Sequence, residues 1–463
     1  MRTFFQLLTI TYILIILFST GCKSKNDVMA PERDSLGKIN QWIYDSMHYY
    51  YYWSGGMPAQ PDYGVTPDVF FKGLQSSEDR FSAVSNRTEV TGGRKTAFSL
   101  YGFHYAIVQH IASGAYIGVV TYVAQESPAY RAGLRRGACF TKVADTPLSA
   151  ERIAWADALL SSTATIRLTV AGLVNEVWTE QKTVTLNSTY FTENPVVLTK
   201  YFSRNGVKTG YLLYVGFDET YDIKLLTAFS KLKQAGAEEC IIDLRFNAGG
   251  SVATCAKMTG LLTGIREDEV FGIFSGNSRL GRQTYTMNRI LKTASNPSGS
   301  TFAELTANRL PLKRVYILTS RATASAAELL VNNLKPYLPV IQIGDTTLGK
   351  DEAGLEVYDQ RNPKQVQWIL QLIVYKLLNA AGSGGYNKGL KPDFQMSEVA
   401  GLPLPALGAA DDPLINKALQ LIYGQDITEE QTLRKERTPV LPLFVSAGKH
   451  AENMPPALLK GPY

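Results

Sequence analysis

A multidomain α+β architecture is the fold class this chain predicts, and three observations lead to it. The chain has 463 residues, more than one hydrophobic core ordinarily organises. Its hydrophobic pattern changes twice: a helical period near the N-terminus gives way to short strands, and these to strands alternating with helices. Such alternation implies an α/β layered core, so a small helical domain, a β domain and an α/β domain are expected in that order.

The first residues stand apart from all three. Arg2 precedes an apolar run from Phe4 to Phe18, and Ser19-Thr20-Gly21-Cys22 closes it. A positive start, an apolar core and small residues before a cleavage point describe a secretory signal over residues 1–21, too short for a comfortable membrane span. Gly21-Cys22 resembles the lipobox of bacterial lipoproteins, with Ser19 where leucine is usual. That resemblance implies lipidation of Cys22, a polar tether over residues 22–34 and attachment to a membrane of the bacterial cell envelope. An ordinary signal peptide beside a chance cysteine is the alternative.

Residues 35–95 carry the helical pattern. Ile39, Trp42, Ile43 and Met47 run into Tyr49-Tyr50-Tyr51-Tyr52-Trp53; Pro58, Pro61 and Pro67 break the chain before Val69, Phe70, Phe71 and Leu74 resume it. Rings this dense serve as packing between helices or as a wall facing substrate. Residues 96–186 switch to short strands: Leu100-Tyr101-Gly102-Phe103 leads into Tyr105 to Val108, Gly118 to Val123 follows, and Ser127-Pro128 starts a helix with proline where no N–H is needed. Residues 195–428 alternate, with strands at 211–215, 240–244, 315–318 and 340–343 and helices at 223–234 and 252–262. The polar stretch 264–308 reads as an insertion or a lid, and the proline-broken residues 429–463 as a peripheral tail.

Two of these strands converge on chemistry. Val315 to Leu318 feeds small residues and then Ser325, at the start of an amphipathic helix marked by Leu329, Leu330 and Leu334. Unpaired N–H groups and the helix dipole favour negative charge there, which suits an acyl-transfer nucleophile. Val340 to Ile343 feeds Gly344-Asp345-Thr346-Thr347-Leu348-Gly349-Lys350, a glycine-flanked turn able to deliver a lysine beside that serine. Lysine replaces histidine as general base when desolvation lowers its pKa. Glu328 lies on the same helix face as Ser325, placed to orient Lys350 or to hold its charged form. For the oxyanion, the candidate donors are the N–H of Ala326 and one from Gly249 or Gly250.

The Ser325-Ala326-Ala327-Glu328 helix start and the Gly344 to Lys350 turn resemble the carboxy-terminal processing proteases, peptidase family S41. Three further segments resemble its signatures in family order: Gly210-Tyr211-Leu212-Leu213-Tyr214-Val215 with Phe217, Ile241-Ile242-Asp243-Leu244-Arg245-Phe246-Asn247-Ala248-Gly249-Gly250, and Gly389-Leu390-Lys391-Pro392-Asp393. The resemblance implies a crotonase/ClpP-like layered catalytic domain with a Ser325/Lys350 dyad assisted by Glu328. It also implies protein or peptide substrates engaged by a free C-terminus, and no cofactor. Residues 35–95, including Asp79-Arg80-Phe81-Ser82, resemble the family's helical N-terminal domain. Residues 96–186 resemble a PDZ domain, in which Leu100-Tyr101-Gly102-Phe103 would hold a terminal carboxylate while the next strand adds the peptide to a sheet edge. Ala138-Cys139 departs from the aspartate usual after Gly137, and a unit that only packs against the catalytic domain is the alternative.

Other function classes fit poorly. The net charge of +6 is spread thinly, with no basic stripe for nucleic acid. His48, His104, His110 and His450 all lie outside the α/β region, against a Ser-His-Asp enzyme. No His-Glu-x-x-His or clustered Cys/His spacing points to zinc, so no metal is expected. Ser-x-x-Lys occurs at Ser35, Ser230 and Ser446, but the Lys208-Thr209-Gly210 match precedes two of them and no Ser-Asp-Asn accompanies it. Cys139, Cys240 and Cys255 read as small buried hydrophobes. From another class, the rival is a non-catalytic peptide-binding lipoprotein that keeps the fold, disfavoured by the intact Ser325, Glu328 and Lys350 set.

Overall fold

Residues 33–86, 97–294, 301–424 and 437–446 are described in a computed structural model of the chain. Cys22 and the signal and tether segments up to residue 32 lie outside them. The helical pattern forms α1 (Arg33–Tyr50) and α2 (Pro67–Leu74), Pro67 taking a first-turn position that needs no N–H. Ile43, Met47, Tyr50, Tyr51, Phe70 and Phe71 are buried in the same core as the α/β domain. The tyrosine run therefore divides, with Tyr50 and Tyr51 serving as packing. β1 (Ala83–Asn86) leaves this region to pair with a strand far downstream.

The β domain contains α3 (Ala97–Tyr101), β2 (Phe103–His110), β3 (Tyr116–Val123), α4 (Pro128–Arg131), β4 (Cys139–Val143), β5 (Thr146–Pro147), α5 (Ile153–Leu160), β6 (Thr165–Val174) and β7 (Val177–Asn187). Its antiparallel sheet runs β2-β3-β4-β6-β7 over a core of Phe103, Ile107, Val120, Phe140 and Leu168. Ser127 caps α4, its Oγ accepting the Tyr130 N–H at 3.2 Å.

In the α/β domain, β8 (Val196–Arg204), β9 (Val207–Tyr214), α6 (Asp222–Gln234), β10 (Glu239–Asp243) and α7 (Val252–Leu262) come first. β11 (Val270–Ser275), β12 (Arg282–Thr286), α8 (Met287–Leu291) and α9 (Phe302–Asn308) follow, then β13 (Val315–Thr319), α10 (Ala326–Leu334) and β14 (Val340–Gly344). The chain closes with β15 (Glu352–Tyr358), β16 (Trp368–Leu378), β17 (Phe394–Gln395), β18 (Gly401–Leu402), α11 (Pro413–Tyr423) and β19 (Thr438–Val445). The central sheet has the order β17-β14-β13-β10-β9-β8, parallel except for β8 at the edge. Alternate residues of each strand face opposite layers. Leu212, Ile242 and Ile317 meet α6, α7 and α10, whereas Tyr211, Ile241 and Tyr316 meet α11. Cys240 and Cys255 belong to this core, and burial pushes the Cys139 thiol up to about 12.

Two expectations need correction. Residues 264–308 are not a polar excursion, because β11 and β12 join a second sheet of order β1-β16-β11-β12, with β15 on β16. Phe271 and Phe274 are buried there, an apolar pair that the surrounding polar residues masked in the sequence. The tail is not wholly peripheral either: β19 pairs with β2 and buries Val440 against Val399 and Leu402.

Charge and rings join the β domain to the core. Arg245, fully buried, meets Asp243 at 2.7 Å, Glu398 at 2.9 Å and Asp412 at 3.0 Å, and Arg136 of the β domain reaches Glu398 at 2.8 Å and Asp412 at 3.3 Å. Beside them His104 stacks 4.6 Å from Phe98 and lies tilted 5.6 Å from Phe246, its two ring nitrogens without hydrogen-bond partners among the described residues. Burial pushes its pKa down to about 3. A histidine depressed in the folded state stabilises fully above its unfolded pKa near ~6.5 and loses that contribution as pH falls toward 3. Thermal unfolding at about pH 7 and about pH 5 should therefore show wild type losing roughly 2 kcal/mol more stability than His104→Phe, nearly all of it below pH ~6.5. Equal acid sensitivity in both proteins would remove His104 from the account.

Candidate active site

β13 and β14 are adjacent and parallel, with Thr319 opposite Gly344, so the loops leaving their C-terminal ends run side by side. The Leu348 N–H donates to Thr323 O at 3.0 Å, tying the lysine turn to the serine loop. Ser325 stands at the N-terminus of α10 with φ 54° and ψ −117°, a backbone conformation costly for a residue with a Cβ. Such strain persists only where its surroundings hold it.

Here Glu328 is the holder. Fully buried, its carboxylate accepts the N–H of Ser325 at 2.9 Å, of Gly349 at 2.7 Å and of Lys350 at 2.8 Å, and the hydroxyl of Thr347. Burial raises its pKa while these four donors oppose the shift. Glu328 thus grips the lysine turn by its main chain. The Lys350 side chain, 5% exposed, extends over Phe81 with Nζ 4.9 Å from the ring centroid.

The glycine pair completes the surroundings. At φ 103°, Gly249 lies so close to the serine that a Cβ on it would stand 2.7 Å from Ser325 Cβ and 2.9 Å from Ala326 N. Gly250, at φ 133°, would place a Cβ 2.1 Å from Phe217 O. No other residue type fits either position. The Gly249 N–H is occupied, donating to Asn247 Oδ1 at 2.8 Å, whereas the bridge between Phe217 and Gly250 runs through Gly249 O and the Ser251 N–H. Of the two glycines left open by the sequence, Gly250 is the one whose N–H those bonds leave unused.

Ser325, Ala326, Lys350 and Gly250 line one small cavity with Val252, Leu329 and Leu377. Glu352 lines it too, with Oε1 2.6 Å from Lys376 Nζ and Oε2 without a partner among the described residues. A larger cavity of about 360 Å³, bounded by Phe98, Phe191, Glu193, Phe217 and Gly249, runs from Gly249 to the β domain. Of the candidates in the β domain, Leu100 and Tyr101 end α3, the Gly102 N–H donates to Phe98 O at 2.8 Å, and Tyr101 and Phe103 are fully buried.

Sequence reasoning missed the contribution of the helical region. Arg80 donates to Gly349 O and, at 3.0 Å, to Asn387 O, while Phe81 lies under Lys350. Asp79 organises the segment by accepting the N–H groups of Phe81 and Ser82, both at 2.9 Å. The Asp-Arg-Phe-Ser run was visible in the sequence, but nothing local to it points to a site 269 residues away. Thr347 and Glu352 carried no signal at all. Among the described residues, no group of histidine, cysteine and carboxylate side chains could hold a metal ion.

Comparison with known proteins gives these features a setting. Residues 208–396 match the model of peptidase family S41, and residues 38–83, which include Arg80 and Phe81, match that of the peptidase S41 N-terminal domain. The chain is 27% identical over 210 residues to carboxy-terminal processing protease CtpA of Bacillus subtilis (strain 168), covering 45% of this chain and 39% of the relative. It is 26% identical over 177 residues to a carboxyl-terminal-processing protease of Picosynechococcus sp., covering 36% of each. Both alignments therefore span well under half of those relatives. The crystal structure of a protein described as a putative S41 protease, from Bacteroides fragilis NCTC 9343, superposes with TM-score 0.63 at 26% identity, over 83% of this chain and 97% of that one. With the layered core that carries Ser325 and Lys350 and the helical region beneath them matched in the same order, the chain belongs to peptidase family S41.

Proposed function

We propose that the protein is a serine endopeptidase in which Ser325 is the nucleophile and Lys350 the general base. The observation that carries this reading is Ser325 held at positive φ on a helix N-terminus, in one cavity with Lys350. Lys350, neutral when it acts, takes the Oγ proton as Oγ bonds to the scissile carbonyl carbon. The carbonyl oxygen gains the charge and accepts hydrogen bonds from the N–H of Ala326 and of Gly250, donors already fixed by the fold. When the intermediate collapses, the C–N bond breaks and the Lys350 ammonium returns its proton to the leaving amine. Water then attacks the Ser325 ester with Lys350 again as base, releasing the acid and restoring the hydroxyl. Glu328 acts as a positioning residue that fixes the main chain at both partners.

The β domain is proposed to be a PDZ-type unit that selects substrates by a free C-terminus, which the larger cavity would connect to Ser325. Amidating a peptide's C-terminus removes the charge such a unit accepts. Matched free-acid and amidated peptides should therefore differ in kcat/KM by about tenfold or more, mainly through KM, because the lost contact is remote from the reacting bond. Equal kcat/KM for the two would end the C-terminal reading and leave the peptidase intact.

Lipidation of Cys22 and residence in the bacterial cell envelope are part of the same proposal. Cys22→Ser should move the protein from the membrane to the soluble fraction. Retention of this variant on membranes through a high-salt wash would show that something else anchors it.

A further inference from the structure

The edge of β2, where an added peptide strand would lie, is occupied. β19 runs antiparallel along it, with Val440 opposite His110, Leu441 opposite Gln109, Pro442 opposite Val108, Phe444 opposite Ile107 and Val445 opposite Ala106. Just beyond the strand, the Ser446 N–H donates to Tyr105 O and the Tyr105 N–H donates to Ser446 Oγ, both at 2.9 Å. The segment thus travels toward Phe103 and the end of α3, as a peptide carrying its terminal carboxylate to that end would travel. Phe444 is its anchor. The ring lies 5.8 Å from that of Tyr105 and packs on the β-domain core alongside Ile153 and Leu159 of α5.

Other features suit a ligand better than a permanent core strand. Pro439 and Pro442 contribute no N–H, and the pairing register shifts between Pro442 and Phe444. Leu441 is 51% and Leu443 39% exposed, so alternate side chains face outward. Its apolar holds are Val440, Phe444 and Val445, and on its other side only its first two residues pair, Thr438 opposite Leu402 and Pro439 opposite Gly401.

We propose that residues 438–446 are an intramolecular ligand of the β domain, holding the β2 edge against the C-terminal stretch of a substrate polypeptide, which must displace them to bind. This rests on the peptide-binding reading of the β domain given above. A tethered ligand competes at an effective concentration on the order of millimolar. An external peptide of similar intrinsic affinity in the tens of micromolar would then bind roughly 10- to 100-fold more weakly than to a vacant edge.

The test uses the full chain carrying Ser325→Ala to prevent cleavage, and a fluorescein-labelled peptide of residues 438–446 with a free carboxylate as probe. Phe444→Asp should tighten probe binding at least ~10-fold over the parent, and Phe444→Ala should do so to a smaller extent should the aspartate variant fold poorly. Leu441→Asp, at an exposed position of the same strand, should bind the probe as the parent does. Unlabelled peptides of unrelated sequence with a free carboxylate should displace the probe from Phe444→Asp and their amidated forms should not, whereas a merely structural strand would be replaced only by its own sequence. Equal probe affinity for the parent and both Phe444 variants would overturn the proposal alone. Absence of probe binding in every variant would overturn it together with the peptide-binding reading, whereas peptide hydrolysis by the Ser325 enzyme tests the catalytic reading separately.

Discussion

Ser325→Ala and Lys350→Met should each lower peptide hydrolysis by at least ~10³-fold while leaving the fold intact, since members of a catalytic unit that acts only as a whole show losses of this size singly. The choice of methionine follows from the surroundings. Lys350 is 5% exposed with its Nζ over Phe81, so truncation to alanine would open a gap, whereas methionine keeps the aliphatic volume and removes only the amine. Alanine at 325 meets the same positive φ that serine does, so backbone strain is common to wild type and variant. Parallel measurement of kcat/KM and of Tm separates chemistry from folding. Near-normal turnover by Lys350→Met with an unchanged Tm would remove lysine from the mechanism.

Glu328→Gln should be almost as damaging as Glu328→Ala, which is unusual for so conservative a change. Each carboxylate oxygen receives two donors: Oε1 those of Thr347 and Gly349, Oε2 those of Ser325 and Lys350. An amide has only one acceptor oxygen, so its NH₂ faces either the N–H groups of Ser325 and Lys350, or the Gly349 N–H and a Thr347 hydroxyl that already accepts the Leu390 N–H. Leaving buried donors unpaired costs about 1–3 kcal/mol each, so a loss of stability of about 3 kcal/mol or more is expected for both variants. Activity should fall by roughly 10²-fold or more as well, because the serine and the lysine lose their common support. Glu328→Gln with wild-type Tm and kcat/KM would show that Glu328 does not support the serine and the lysine.

What the sequence disclosed and what it hid follow from the range of the interactions. Strands β9, β10, β13 and β14 are buried on both faces and appear as short apolar runs, so the layered core was readable. That the loops bearing Ser325 and Lys350 run side by side was readable for a related reason: each follows one of two neighbouring strands, and the turns bear their own glycine punctuation. β1 was not, being four half-buried residues whose partner lies far along the chain in β16. β19 was hidden by its prolines, which mark a loop unless an edge is available to receive it. The target of Glu328 also escaped prediction. Helical spacing sets it on the Ser325 side of α10, but only the folded turn brings the N–H groups of Gly349 and Lys350 to its carboxylate. The difference between Gly249 and Gly250 depended in the same way on a side chain, since Asn247 occupies the Gly249 N–H.

The most direct test of the serine-peptidase mechanism is mass spectrometry of the full chain after reaction with a fluorophosphonate, which bonds irreversibly to an activated serine. The mechanism predicts a single adduct on the peptide containing Ser325, formed far more slowly in Lys350→Met and absent from Ser325→Ala. A preparation that cleaves peptides while its adduct maps to another serine, or while Ser325 stays unlabelled, would contradict it.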